Sequence, residues 1–268
     1  MSRLALGFIS DLSDQDFAFA AEEGFGFLDY NINAPDIEYF LQDLPRIRAN
    51  MDRYGMPISA LGRFGRERLT GSSEDLEKED RNTRTLIDVC QALEVKTLVL
   101  GAGAGDGMTF DEKCQKAIAT LQSLASYARP RGVTLAVYNC RWANFIYGPD
   151  AWQRVFEAVP ELGLKYDPSH AVYDGCDYLK ETRDWGHKIV HAHAKGTLII
   201  DGEPLEDPPA GLDQTNWGAF LAVLYSRNYQ GDLSIEPHAR TWMGSRYYAG
   251  IRIAANHLRP LMVEYNRR

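Results

Sequence analysis

The chain has 268 residues, 45% of them hydrophobic and 25% charged, with a formal net charge of −8. That charge argues against a general affinity for nucleic acid, which needs Lys and Arg to displace counterions from phosphate. No stretch reaches the roughly 18 apolar residues of a membrane span. The N-terminal apolar run is too short for a signal peptide. The four cysteines, Cys90, Cys114, Cys140 and Cys176, form no C-x-x-C pair and no zinc-ribbon spacing. These features predict a cytoplasmic protein with reduced thiols, folded as one domain over residues 1–268.

Short apolar runs alternate with longer amphipathic ones. In the first half, strands are predicted at 4–8, 26–31, 57–62 and 96–101. Helices are predicted between and after them, over 14–23, 36–54, 76–93 and 111–128. The second half repeats the rhythm with strands at 133–138, 163–167, 189–194 and 233–238, and helices over 152–158, 217–227 and 245–264. Segment 178–186 is ambiguous as a helix. Strand, helix, strand in steady succession means a parallel sheet, because parallel neighbours need crossover connections. Eight such units suit an α/β fold of the closed (β/α)8 TIM-barrel type, although an open doubly wound sheet alternates in the same way.

Alternation within the strands favours the barrel. In VTLAVY, Val133, Leu135 and Val137 share one face, and Thr134, Ala136 and Tyr138 share the other. In IVHAHAK, Val190, Ala192 and Ala194 oppose His191, His193 and Lys195. In LSIEPH, Leu233, Ile235 and Pro237 oppose Ser234, Glu236 and His238. An apolar face packs on outer helices, and the polar face points into the barrel, whose active sites collect at the C-terminal ends of the strands.

In chain order, the polar groups at those ends are Tyr138, Asp167, His193 and Glu236. Each alone reads more readily as a cap, an ion pair or a satisfied core residue. Together, two carboxylates and an imidazole suit a divalent metal ion such as manganese, magnesium or cobalt, with zinc as a further option. Without a cation, the two carboxylates would repel each other and resist burial.

The pieces GLKYDPSH, IVHAHAKG and NWGAFLAVLYSRNYQGDLSIEPH resemble the xylose isomerase-like TIM-barrel family of sugar isomerases and epimerases. The resemblance covers the C-terminal half in order and spacing. The N-terminal half shares the strand–helix rhythm, with EEGFGFLDYN similar to the second-strand segment. It implies metal ligands at Asp167, His193 and Glu236, with Glu236 also the catalytic base. It implies that His170 contacts substrate, as in the epimerases, or ligates metal, as in the repair nucleases of the family. The family's remaining glutamate, at the end of the fifth strand, corresponds to Tyr138. That departure puts a two-base epimerisation in doubt, since a phenol of pKa near 10 is a poor base at neutral pH. Tyr138 then serves as a phenolate ligand or as a proton donor, or the barrel binds a sugar without turning it over.

Around this set, Lys195 is a candidate for a substrate oxygen or for a nearby carboxylate. Asn139 faces outward unless the strand has already ended, in which case its amide reaches the metal. Arg141, Trp142 and Arg240, mixed with aromatics at the rim, suit a sugar's apolar face and hydroxyls. They equally suit contact with a second copy in a homo-oligomer. Asp29 and Arg63 are weaker candidates, and a structural role is preferred for each. The long connection 197–217 contains IIDGEPL, a hairpin signal that makes either a lid or a decoration. GAGAGDG lacks both the G-x-G-x-x-G register and a Lys-Ser/Thr pair, so nucleotide binding is not expected. The expected function is a metal-dependent sugar isomerase or epimerase acting by proton abstraction next to a carbonyl. The rivals are a lyase or dehydratase on a keto-sugar or cyclitol, a carbohydrate-binding barrel without turnover and, disfavoured by the acidic charge, a repair nuclease.

Overall fold

The computed structural model describes residues 2–265. Eight parallel strands close into a barrel: β1 (Leu6–Ile9), β2 (Phe27–Asn31), β3 (Ile58–Arg63), β4 (Thr97–Leu100), β5 (Thr134–Tyr138), β6 (Gly163–Tyr166), β7 (Ile189–Ala194) and β8 (Asp232–Ile235). Each strand pairs with its sequence neighbours, and β8 closes on β1 through Leu233↔Leu6 and Ile235↔Phe8. The open doubly wound alternative is thereby excluded.

The helices are α1 (Asp14–Glu22), α2 (Glu38–Tyr54), α3 (Ser73–Ala92), α4 (Phe110–Ala128), α5 (Pro149–Ala158), α6 (Pro168–Tyr173), α7 (Tyr178–Trp185), α8 (Trp217–Ser226) and α9 (Tyr247–Leu258). Local chemistry sets several of their starts. Ser13 and Ser72 accept from the backbone three residues on, and Thr109 with Glu112 makes a reciprocal capping box before α4. The ambiguous segment 178–186 is α7, capped by Asp177. The short α6 falls where the sequence showed no apolar period. Its signal is the pair of Asp167 as N-cap and Pro168 in the first turn. The helix expected over 245–264 is shorter, because two 3-10 turns precede it and a third ends it.

Period-two alternation divides the apolar side chains into two layers. Leu135, Val137, Ala192, Ala194, Leu233 and Ile235 join the large core between sheet and helices. Ala60, Val99, Ala136 and Tyr138 form a small separate cluster inside the barrel. Val190 departs from the expected outward face and packs against this inner cluster. There the pairing of β6 with β7 jumps from Leu164↔Ile189 to Lys165↔His191, leaving Val190 as the extra residue of a bulge. After β7, Leu198–Ile200 and Glu203–Glu206 pair as the expected hairpin, with Asp201 and Gly202 at positive φ in its turn.

Candidate functional site

Three strands deliver the central side chains. β6 ends at Tyr166, and Asp167 follows as the N-cap of α6, its Oδ1 accepting from Ser169 N at 2.9 Å. Its Oδ2 is buried and accepts no hydrogen bond. Three nitrogens surround that oxygen, His170 Nε2 at 3.4 Å, Lys195 Nζ at 3.7 Å and Lys165 Nζ at 3.8 Å. β7 carries His193, whose Nδ1 is hydrogen-bonded to Glu236 Oε2 at 2.7 Å. Glu236 is the first residue beyond β8, and its side chain keeps 17% of its surface exposed while that of Asp167 keeps none. Lys165 Nζ also lies 3.9 Å from Glu236 Oε2, so one ammonium faces both carboxylates.

Asp167, His193 and Glu236 each offer a ligand atom, and these atoms lie within 4.8 Å of one another. A second such group among the described residues is Asp29, His191 and His193. There His191 Nε2 is hydrogen-bonded to Asp29 Oδ2 at 2.7 Å, and His193 Nε2 lies 4.0 Å from the same oxygen. His193 thus sits between a carboxylate at the rim and a carboxylate–imidazole pair in the barrel interior.

The electrostatics follow from burial and charge together. Burial pushes the Glu236 carboxyl up, but Lys195, the hydrogen bond from His193 and Lys165 outweigh it and hold the group well below its ordinary range. Asp167 is lowered in the same sense, burial being outweighed by Lys195, His170 and Lys165. Burial drives His193 down to about 4, with Lys165 adding to the effect. Burial takes His170 down to about 4 as well, against the pull of Asp167. Near neutral pH both carboxylates are anions and both imidazoles neutral, so His193 donates Nδ1–H to Glu236.

The donor chemistry fits a hard divalent cation. It comprises two carboxylates and an imidazole, and one carboxylate oxygen has no hydrogen bond to give up. An ion on His193 Nδ1 requires the imidazole to release Glu236 and change tautomer, since one nitrogen cannot donate and ligate at once.

The other expected residues divide sharply. Tyr138 is fully buried, and its hydroxyl donates to Trp142 O at 3.0 Å and accepts from Gly65 N at 3.3 Å. Burial pushes its pKa up to about 12. It ties the loops after β3 and β5 together and is held as a neutral phenol. Asn139 is buried, not outward-facing. Its Nδ2 donates to Asp167 O at 2.8 Å and its Oδ1 accepts from Asp167 N at 3.0 Å, which fixes the backbone that presents Asp167. Arg141 pairs with Asp174 at 2.6 Å and stacks on Tyr147, beside a cavity of about 350 Å³. Trp142 is 58% exposed. Arg240 lines a groove of about 550 Å³ with Tyr173, Leu205, Asp207 and His238. Arg63 is structural, binding Glu79 and the carbonyls of Ile32 and Ala34. A cavity of about 610 Å³, larger than those beside Arg141 and Arg240, lies between α3 and α4 and touches neither Asp167 nor Glu236, so size does not mark the site.

Sequence reading missed Lys165, although its signal was present: it stands two residues before Asp167 and shares its face. It also missed Asp207, which no local pattern marks. This carboxylate holds the Tyr173 hydroxyl through Oδ1 and His238 Nδ1 through Oδ2, tying the end of the hairpin segment to α6 and to the exit of β8.

Comparison with known proteins agrees with this architecture. Residues 17–261 match the family described as xylose isomerase-like TIM barrel. The YfiH protein of Bacillus subtilis (strain 168), described as uncharacterized, is 28% identical over 138 aligned residues. That alignment covers 44% of this chain and 43% of YfiH, less than half of the relative. Among solved structures, the apo 3-keto-D-glucoside 4-epimerase YcjR of E. coli superposes with a TM-score of 0.75 at 14% identity, over 96% of this chain and 98% of that one. The IOLI protein with a bound zinc atom superposes with a TM-score of 0.75 at 16% identity and the same coverage. At such identities the likeness is one of fold.

Proposed function

The chain belongs to the xylose isomerase-like TIM-barrel family, and from that premise we propose that it is a sugar or keto-sugar isomerase of the proton-abstracting type, with Glu236 as its base. The observation that carries the reading is the meeting of Asp167, His193 and Glu236, from the ends of three strands, within 4.8 Å. Asp167, His193 and Glu236 would hold a divalent ion, manganese being our first candidate and magnesium, cobalt and zinc the others, and a bound ion supplies Lewis acidity toward a substrate carbonyl.

The chain's own residues supply the rest. Glu236 is anionic near neutral pH and is the carboxylate of the pair that the barrel mouth reaches. Before an ion binds, His193 orients it through Nδ1. Lys195 and His170 flank the free oxygen of Asp167 and are placed to bind a substrate hydroxyl or carbonyl. Arg141, Trp142 and Arg240 stand further out, as rim contacts for the sugar or the cyclitol.

A second reading, elimination by a lyase or dehydratase, is favoured by the state of Tyr138. Its hydroxyl is committed to Trp142 and Gly65, and its pKa lies near 12, so it is a poor second base. Chemistry that removes and returns a proton on one face, or expels a hydroxyl, suits this set better than inversion at carbon, which needs a donor on the opposite face.

The test is deuterium wash-in followed by NMR in D₂O, on a panel of ketohexoses, a 3-keto-glucoside and a keto-cyclitol, with and without Mn²⁺. We expect exchange at the carbon next to the carbonyl for at least one of them, falling by 10²–10⁴-fold in Glu236→Gln. Thermal stabilisation by a sugar without exchange would instead identify a binding barrel.

A further inference from the structure

We propose that Lys165 is a built-in competitor for the cation seat, an ammonium group that shares both carboxylates and keeps the site's affinity for divalent ions low. The inference rests on the reading of Asp167, His193 and Glu236 as the ligand set and concerns how that set is tuned.

Lys165 Nζ lies 3.8 Å from Asp167 Oδ2 and 3.9 Å from Glu236 Oε2, one oxygen of each carboxylate that would hold an ion. The side chain is only 2% exposed. An ammonium so buried is costly unless paired, and these two carboxylates are its ion-pair partners among the described residues. The strand leaves it no other direction, since Lys165 and Asp167 are two positions apart and share the inward face. The Phe64 ring, 5.9 Å from Nζ, walls it on another side. Release of the ammonium therefore leaves a buried charge unpaired, and the ion pair resists displacement.

Charge counting leads the same way. Two carboxylates, Asp167 and Glu236, meet two ammonium groups, Lys165 and Lys195, and within these four the formal charges cancel, while the nearby carboxylates Asp29 and Asp207 are engaged by His191 and by Tyr173 and His238. A divalent ion adds two positive charges to a balanced, mostly buried cluster. Like charges about 4 Å apart repel strongly even at the effective dielectric of a protein surface. The fifth strand offers no third carboxylate to offset this, because Tyr138 stands at its end and remains a neutral phenol.

The experiment is isothermal titration calorimetry of the full chain, stripped of metal, with Mn²⁺ and Zn²⁺ separately. The proteins are wild type, Lys165→Met, Lys195→Met and the double variant Lys165→Met/Asp167→Asn, each checked by thermal unfolding; Lys165→Gln replaces Lys165→Met if the latter does not fold. We expect Lys165→Met to bind both ions at least tenfold more tightly than wild type. Lys195→Met should gain less, since among the described residues its Nζ lies within 4 Å of one carboxylate, Asp167, and Asp167→Asn should cancel the gain. Affinity unchanged or weakened in the Lys165 variants, with binding retained in wild type, overturns the role of Lys165 and leaves the ligand set standing. No binding in any of the proteins overturns the ligand set and this inference together.

Discussion

Tyr138 shows how one residue can share a face with a site and belong to the scaffold. Its ring packs on Phe64, with centroids 4.7 Å apart, and its hydroxyl joins Trp142 O to Gly65 N. Phenylalanine keeps the ring and loses both hydrogen bonds. Tyr138→Phe should therefore lower stability by about 1–2 kcal/mol in urea unfolding, while deuterium wash-in changes by no more than a few fold. A loss of a thousandfold at unchanged stability would return the phenol to the chemistry. Asn139 makes the complementary point. It touches no candidate ligand atom, yet its two hydrogen bonds to the Asp167 backbone fix where that carboxylate stands.

Among the elements, β1 and β2 show what filling the barrel demands. The Phe27 ring turns inward and leaves room for nothing larger than glycine at position 7. A Cβ built on Gly7 would lie 2.4 Å from two Phe27 ring carbons and 2.5 Å from its carbonyl oxygen. The ring stands 6.2 Å from that of His191 and supports the imidazole that binds Asp29. Gly7→Ala should cost about 1–3 kcal/mol or more by overpacking, read as a lower urea midpoint at unchanged slope. An unaltered midpoint would mean that the barrel floor yields. The hairpin after β7 is the opposite kind of element, built from its own turn residues and tied down by the Gln214 amide on Ile199 and by Asp207 at its end. Its anchoring beside His238 favours a wall of the barrel mouth over a free decoration.

For the whole molecule, burying imidazoles against lysines makes stability depend on pH. His170 and His193 have folded-state pKa values of about 4, against about 6.5 in an unfolded chain. As pH falls, the unfolded state takes up these protons first. Stability is therefore complete above about pH 6.5 and is lost as pH drops toward 4, roughly 2–3 kcal/mol for each group. The depressed carboxylates Asp167 and Glu236 extend the loss in the same direction at lower pH. The urea midpoint should fall steeply as pH drops from about 6.5 toward 4, with a shallower fall in His170→Asn, while His238, raised by Asp207, acts in the opposite direction as pH rises above its ordinary value. A midpoint constant from pH 7 to 4.5 would show that both rings are hydrated.

The eight strands, most of the helices and the inward face carrying His191, His193 and Lys195 were legible in the chain, because period two and period 3.6 are local properties. The hairpin was legible from Asp201–Gly202 for the same reason. The local pattern also nominated Asp167, His193 and Glu236 individually, as polar groups at strand ends. It could not show that Lys165 faces two carboxylates, that Asn139 clamps a backbone, or that the Tyr138 hydroxyl is spent on two loops. Those facts are distances between residues far apart in the chain, set by the closure and register of the barrel, including the bulge at Val190 that no single strand announces. Residue order determined which groups line the barrel. Folding decided which charges neutralise one another, because electrostatic energy depends on separation in space and on burial.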